Sequence, residues 1–226
     1  MGKYQIVINR LRANSKKETS YYALEMMKHP FSEEEGWGYT DILRVGDTIS
    51  ATLQKRISSS YHVWNEELQQ VEKQNFQVVT EIRFEIDFQC GLLIAEGTNA
   101  QLNRVKQSFR QIFWNEFVYE DILLMPIDYI KIFSDSRILS SIMEITINDF
   151  MYEGCLIGRY TAKPTSQHDI LKKINKNAKN VIRAKLKLYV NMEESFLTVT
   201  GKNALTLECI NDYRDVFVNY LKTKIK

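Results

Sequence analysis

Two stretches of this chain alternate apolar and polar residues one by one. In TEIRFEIDFQ (80–89), Ile82, Phe84, Ile86 and Phe88 share one side, and Glu81, Arg83, Glu85 and Asp87 share the other. In IRAKLKLYV (182–190), Ala184, Leu186, Leu188 and Val190 fall on one side, opposite Arg183, Lys185, Lys187 and Tyr189. A period of two is that of a strand with one buried face. Each stretch is followed by a second short apolar run, GLLIAEG at 91–97 and SFLTVTG at 195–201. Each pair therefore predicts a strand, a tight turn and a second strand.

After both pairs the pattern changes. GTNAQLNRVKQSFRQIFWNEF (97–117) aligns without a gap on GKNALTLECINDYRDVFVNYL (201–221), with six identities: Gly97/Gly201, Asn99/Asn203, Ala100/Ala204, Arg110/Arg214, Phe113/Phe217 and Asn115/Asn219. Val105, Phe109, Ile112 and Phe113 fall on Cys209, Tyr213, Val216 and Phe217. Spacings of three and four put each set on one helical face. Asn99 and Asn203 stand where an N-cap would, and each preceding glycine frees the chain to leave a strand sharply. The expectation is an internal duplication of a strand–turn–strand–helix unit, with Gly97 and Gly201 at equivalent strand-to-helix junctions.

The rest of the chain is less regular. KYQIVINRLR and DTISATLQKRI read as strands, SYYALEMMKH fits helix or strand, and PFSEEEGWGYTD reads as a loop. Helix and strand stay open from Glu66 to Lys73. SIMEITINDFMYEGCLIGRY alternates like a hairpin turning near Glu153 and Gly154, and SQHDILKKINK suits a short helix opened by Ser166. The fold class this predicts is α+β: a mostly antiparallel sheet with helices on one face.

With 226 residues, 44% of them hydrophobic, the chain can bury a sizeable core. No uncharged apolar run is long enough to span a bilayer, and the opening GKYQIVINRLR is not a secretory signal. Cys90, Cys155 and Cys209 are isolated, which indicates neither a disulfide framework nor a zinc knuckle and fits a reducing, cytoplasmic setting. The net charge of +2 hides an asymmetry. Residues 1–125 carry 14 Lys and Arg against 17 Asp and Glu, and residues 126–226 carry 16 against 11. These two segments are the expected N- and C-terminal halves of one two-lobed molecule.

Catalytic motifs are absent from the sequence: there is no GxSxG, HExxH, P-loop or GxGxxG, and His29, His62 and His168 are scattered. Neither an enzyme nor a cofactor is therefore expected. The chemistry that stands out is a basic run: Lys163, Lys172, Lys173, Lys176, Lys179, Arg183, Lys185 and Lys187, opposed locally by Asp169 alone. Repeated cations suit a phosphate backbone, and Tyr189 on the same strand face offers a stacking surface for an unpaired base. The matching face of the first copy is acidic.

The unit FEIDFQCGLLIAEGTNAQLNRVKQSFRQIF resembles the end of a TATA-binding-protein half-repeat, in which a hairpin passes through a glycine-containing junction into a long amphipathic helix. The resemblance covers an arrangement, about 35 residues in each half, rather than a diagnostic motif. It implies a curved sheet with helices on its convex side and room for DNA on the concave side. No intercalating-phenylalanine pattern accompanies it, and no functional residue is carried across. The function expected from sequence is non-enzymatic binding of DNA or RNA through backbone contacts, and the Lys/Asn/Ile-rich composition associates it with bacterial or phage-related (antiviral defence) accessory proteins. The alternative is a protein-interaction or assembly subunit whose acidic and basic faces meet between protomers.

Overall fold

The computed structural model describes residues 1–135, 138–152, 156–166, 178–190, 193–201 and 204–225. In chain order these form β1 (Gly2–Ala13), α1 (Thr19–Met27), β2 (Trp37–Val45), β3 (Thr48–Asn65), β4 (Gln70–Asp87), β5 (Leu92–Glu96), α2 (Asn99–Phe113) and β6 (Phe117–Asp121). Then follow α3 (Pro126–Asp135), β7 (Leu139–Tyr152), β8 (Leu156–Ala162), a 3₁₀ turn at Ala178–Asn180, β9 (Val181–Val190), β10 (Glu193–Thr200), β11 (Ala204–Cys209) and α4 (Asn211–Lys224). All 11 strands join one antiparallel sheet in the order β2, β3, β4, β5, β1, β11, β10, β9, β7, β8, with β6 also paired to β1. The fold is α+β and mostly antiparallel.

β1 is the seam of this sheet. One edge pairs with β5; the other is shared end to end, with β11 covering Gly2 to Val7 and β6 covering Asn9 to Ala13. Successive residues of a strand point to opposite faces, and here both faces are apolar. Val7 and Leu11 join Leu93 and Ala95 of β5 in a core covered by α1 and α2. Ile6 and Ile8 join Leu92 and Ile94 in a second core, with β7, β9, β10, β11, α3 and α4.

The helices therefore lie on both faces of the sheet, which corrects the one-face expectation. α1 and α2 cover one face of the N-terminal strands, while α3 and α4 cover the opposite face of the C-terminal strands. The physical reason is β1 and β5. Their runs of buried residues on both sides need covering twice, and no single layer of helices can do that.

The two proposed junctions differ as well. At the first, Thr98 is the N-cap and Asn99 already lies inside the helix, so the helix starts one residue earlier than an Asn99 cap implies. Gln101 Oε1 accepts the Thr98 N–H at 2.7 Å, closing a capping box. Gly97 has φ +126°, and a Cβ there would sit 2.0 Å from that Gln101 oxygen. At the second, Gly201 lies in a turn leading into β11, so it is not at a strand-to-helix junction. Leu205, Leu207 and Cys209 alternate as buried residues with Thr206 and Glu208, and α4 begins only at Asn211. Asn203, the second N-cap expected from sequence, lies outside the described residues.

Candidate binding surfaces

Because the covered face changes side along the sheet, the strands away from the β1–β5 seam leave most of their other face open. Cross-strand register places Arg183, Lys185, Lys187 and Tyr189 of β9 on the open face of the C-terminal half, opposite buried Ala184, Leu186 and Leu188. Glu81, Arg83, Glu85 and Asp87 of β4 point to the other side of the sheet, away from buried Ile82, Phe84 and Ile86. The acidic and basic strand faces thus occupy opposite surfaces and cannot form one continuous saddle.

Neither strand face is an array of free charges. Arg183 pairs with Glu144 of β7 at 3.1 Å, Lys187 with Glu194 of β10 at 2.5 Å, and Lys185 approaches Glu208 of β11 at 3.9 Å. Lys185 also lies over the Phe196 ring, 5.3 Å from its centre. Tyr189 is exposed. On the acidic side, Lys222 of α4 is 7% exposed, hydrogen-bonds Glu85 and stands 3.4 Å from Asp87. Arg214 of the same helix reaches Glu96 at 2.6 Å. These partners come from other strands and helices, so they are invisible to a reading of neighbours along the chain.

Among the other basic residues singled out in the sequence, Lys163, just after β8, and Lys179, in the 3₁₀ turn, are exposed. Among the described residues, no ion pair involves either of them. Lys172, Lys173, Lys176 and the proposed helix opened by Ser166 lie outside the described residues, Ser166 itself excepted.

A different surface is built by β3 and β4. β2 accompanies β3 only as far as Lys55, and β5 accompanies β4 only from Phe84. Arg56 still donates its N–H to the Gly36 carbonyl at 2.7 Å, and from the Ile57–Val78 pair to the Asn65–Gln70 pair the two strands pair only with each other. At about 3.3 Å per residue this two-stranded arm projects about 30 Å. Its turn lacks glycine. Asn65 Oδ1 accepts the N–H groups of Glu67 and Leu68 at 3.0 and 3.1 Å, and Gln69 adopts φ +47°. The Asn side chain thus supplies the turn that a glycine pair would otherwise provide.

Apolar residues cluster on one face of the arm and at the tip of the other, whose middle is polar, with Ser58, Ser60 and His62 opposite Gln77, Asn75 and Lys73. Tyr61 and Phe76 meet edge to face with centres 5.5 Å apart, beside Ile57, Val63 and Val78. Trp64 and Val71 stand directly opposite each other on the reverse face, 58% and 60% exposed. Leu68 at the turn is equally open. A bare two-stranded ribbon is marginally stable in water, and clustered exposed apolar residues mark contact sites. Glu66, Glu67 and Glu72 make the tip acidic, with Lys73 as the one cation from Glu66 to Lys73.

No protein-family model matches this chain, and no curated protein matches its sequence. Among the described residues no helix is long and apolar enough to cross a membrane.

Proposed function

We propose that this chain is a non-enzymatic assembly subunit that grips a second copy of itself with the β3–β4 arm. The observation that carries the reading is the arm: a ribbon about 30 Å long with Tyr61, Trp64, Val71 and Phe76 turned to solvent. Its acidic tip is the wrong sign for a phosphate backbone. It is the right sign for residues 126–226, which carry 16 Lys and Arg against 11 Asp and Glu. An arm of one copy laid against the C-terminal half of the next would cover the apolar residues and match the charges.

Sedimentation of the full chain across a concentration range tests this. The parent chain is expected to self-associate. Trp64→Ser combined with Val71→Thr should shift it to monomer without lowering its melting temperature, because both side chains are exposed. A parent that stays monomeric at high concentration overturns the reading.

Nucleic-acid binding is the second reading, supported by exposed Lys163, Lys179 and Tyr189. It expects affinity for DNA or RNA that falls steeply with salt, by about 0.9 in log–log slope per phosphate contact on duplex DNA. Loss of the Arg183, Lys185 and Lys187 charges should then weaken binding less than their number implies, since carboxylates already face them. The internal duplication is proposed in a narrower form than the sequence suggested: a repeated hairpin, β4–β5 and β9–β10, with the second copy's helix displaced by one strand. The likeness to the TATA-binding-protein half-repeat is supported by the β4–β5–α2 unit.

A further inference from the structure

A groove of about 520 Å³ opens where β11 and β6 succeed each other along β1. Buried Ile8, Asn9 and Ile122 contribute to its lining, with Leu124 and Met125 beside them. The opposing wall is α2. That helix turns Leu102, Val105, Phe109 and Phe113 into the core, and it lines the groove with Asn99, Asn103 and Lys106. Those three are spaced four and three residues apart, so they form a polar stripe along the helix.

Half-buried Lys106 differs from the cations that are held by carboxylates elsewhere in the molecule. Arg183, Lys187, Arg214 and Lys222 each hold a carboxylate. Lys106 holds none among the described residues; its contact is the face of Tyr119, 5.2 Å from the ring centre. Burial pushes its ammonium pKa down, and Arg110 adds to that against the pull of Asp121. Asp121 is engaged elsewhere, its Oδ1 accepting the Asn9 amide at 2.7 Å. A partly desolvated ammonium without a hydrogen-bonded anion is costly and gains most from an anionic ligand.

We propose that this groove binds a small monocarboxylate with an apolar body, its carboxylate on Lys106 and the Asn99 and Asn103 amides, its body on Ile122, Leu124 and Met125. Asp121 also lines the groove but is held by Asn9, so one ammonium and two neutral amides are left for at most a single negative charge. A phosphate dianion would bring its second charge near Asp121. The volume lies within the range of small-molecule sites. This site is independent of the arm.

Calorimetric titration of the full chain with octanoate, octylamine and inorganic phosphate tests it. Octanoate is expected to bind saturably, and Lys106→Met to weaken it by at least about tenfold, the loss of one charged hydrogen bond. Asn103→Leu should weaken it less. In the unmutated chain carrying ¹³C-methylated lysines, octanoate should shift the Lys106 signal, a readout that does not depend on a variant folding. The proposal is overturned if octanoate fails to bind, or if Lys106→Met leaves its affinity unchanged. It is equally overturned if octylamine binds as tightly, which would mean apolar adhesion, or if phosphate displaces octanoate at equal concentration.

Discussion

Single side chains join segments that are far apart in the sequence. The Tyr39 hydroxyl donates to Ser108 Oγ at 2.8 Å, and Ser108 in turn donates to the Val105 carbonyl at 2.8 Å, all of it buried. Burial pushes the Tyr39 pKa well up, so the hydroxyl remains a donor. Tyr39→Phe removes one hydrogen bond and should cost about 1 kcal/mol; Ser108→Ala strands the Tyr39 hydroxyl and should cost up to about 3 kcal/mol. Chemical denaturation of the two variants should give that order.

Glu116 ties the segment after β1 to the segment after α2. Burial disfavours its charge, but hydrogen bonds from Ser15 and Tyr22 and the nearby Lys17 outweigh it, and its pKa lies below the ordinary 4.5. A depressed carboxylate stabilises the fold above its unfolded pKa, and that contribution disappears as pH falls through the folded value. Melting curves from about pH 7 to about pH 3 should therefore show a steeper acid loss in the parent than in Glu116→Gln. The variant should be the less stable of the two only at the upper end of that range.

At the scale of elements, the two glycines that prompted the duplication separate cleanly. Gly97→Ala places a Cβ against the capping glutamine at a backbone angle that L-residues rarely adopt, and should cost about 1–2 kcal/mol. At Gly201 an added Cβ meets nothing within 4 Å, and Gly201→Ala should change stability by less than about 0.5 kcal/mol. Equal losses at both would show that Gly201 is as tightly constrained as Gly97.

What the sequence made legible follows from periodicity. The alternation of β4 and β9 and the face of α2 stood in the pattern: Phe109, Phe113 and Phe217 are buried as expected, and Tyr213 is half-buried. β11 was not, because LTLEC is too short to separate a period of two from one of 3.6. Only the tip of the arm, Glu66 to Lys73, stays open between helix and strand, because its turn is made by Asn65 and Gln69 rather than by the usual Asn-Gly or Asp-Gly signal. Of the candidate site, the cations were legible and their partners were not. Glu144, Glu194 and Glu208 are brought to them only by strand pairing.

Across the whole molecule, α4 ties the two halves together. Its Phe217 stacks on Phe133 of α3 with centres 5.5 Å apart, and its Lys222 reaches Glu85 and Asp87 of β4. All three charged groups are largely buried. Lys222→Ala would leave two carboxylates without their cation and should cost about 3–5 kcal/mol. Lys222→Ala combined with Glu85→Gln and Asp87→Asn should recover part of that loss. If the triple variant is as unstable as the single one, the packing of the lysine stem matters more than its charge.

The seam at β1 has a consequence for how the chain is made. Gly2 to Val7 pair with residues 204–209, so that edge of β1 waits for a strand synthesised about 200 residues later. At about 5–20 residues per second, the interval between the emergence of β6 and that of β11 is on the order of ten seconds. Through that interval the ribosome carries an N-terminal half with Ile6 and Ile8 uncovered and half an edge of its middle strand open to any passing chain. Pairing so distant in sequence also slows closure once the last residues arrive. Nascent chains halted before Ala204 should therefore aggregate or recruit a chaperone, and chains extended through α4 should not.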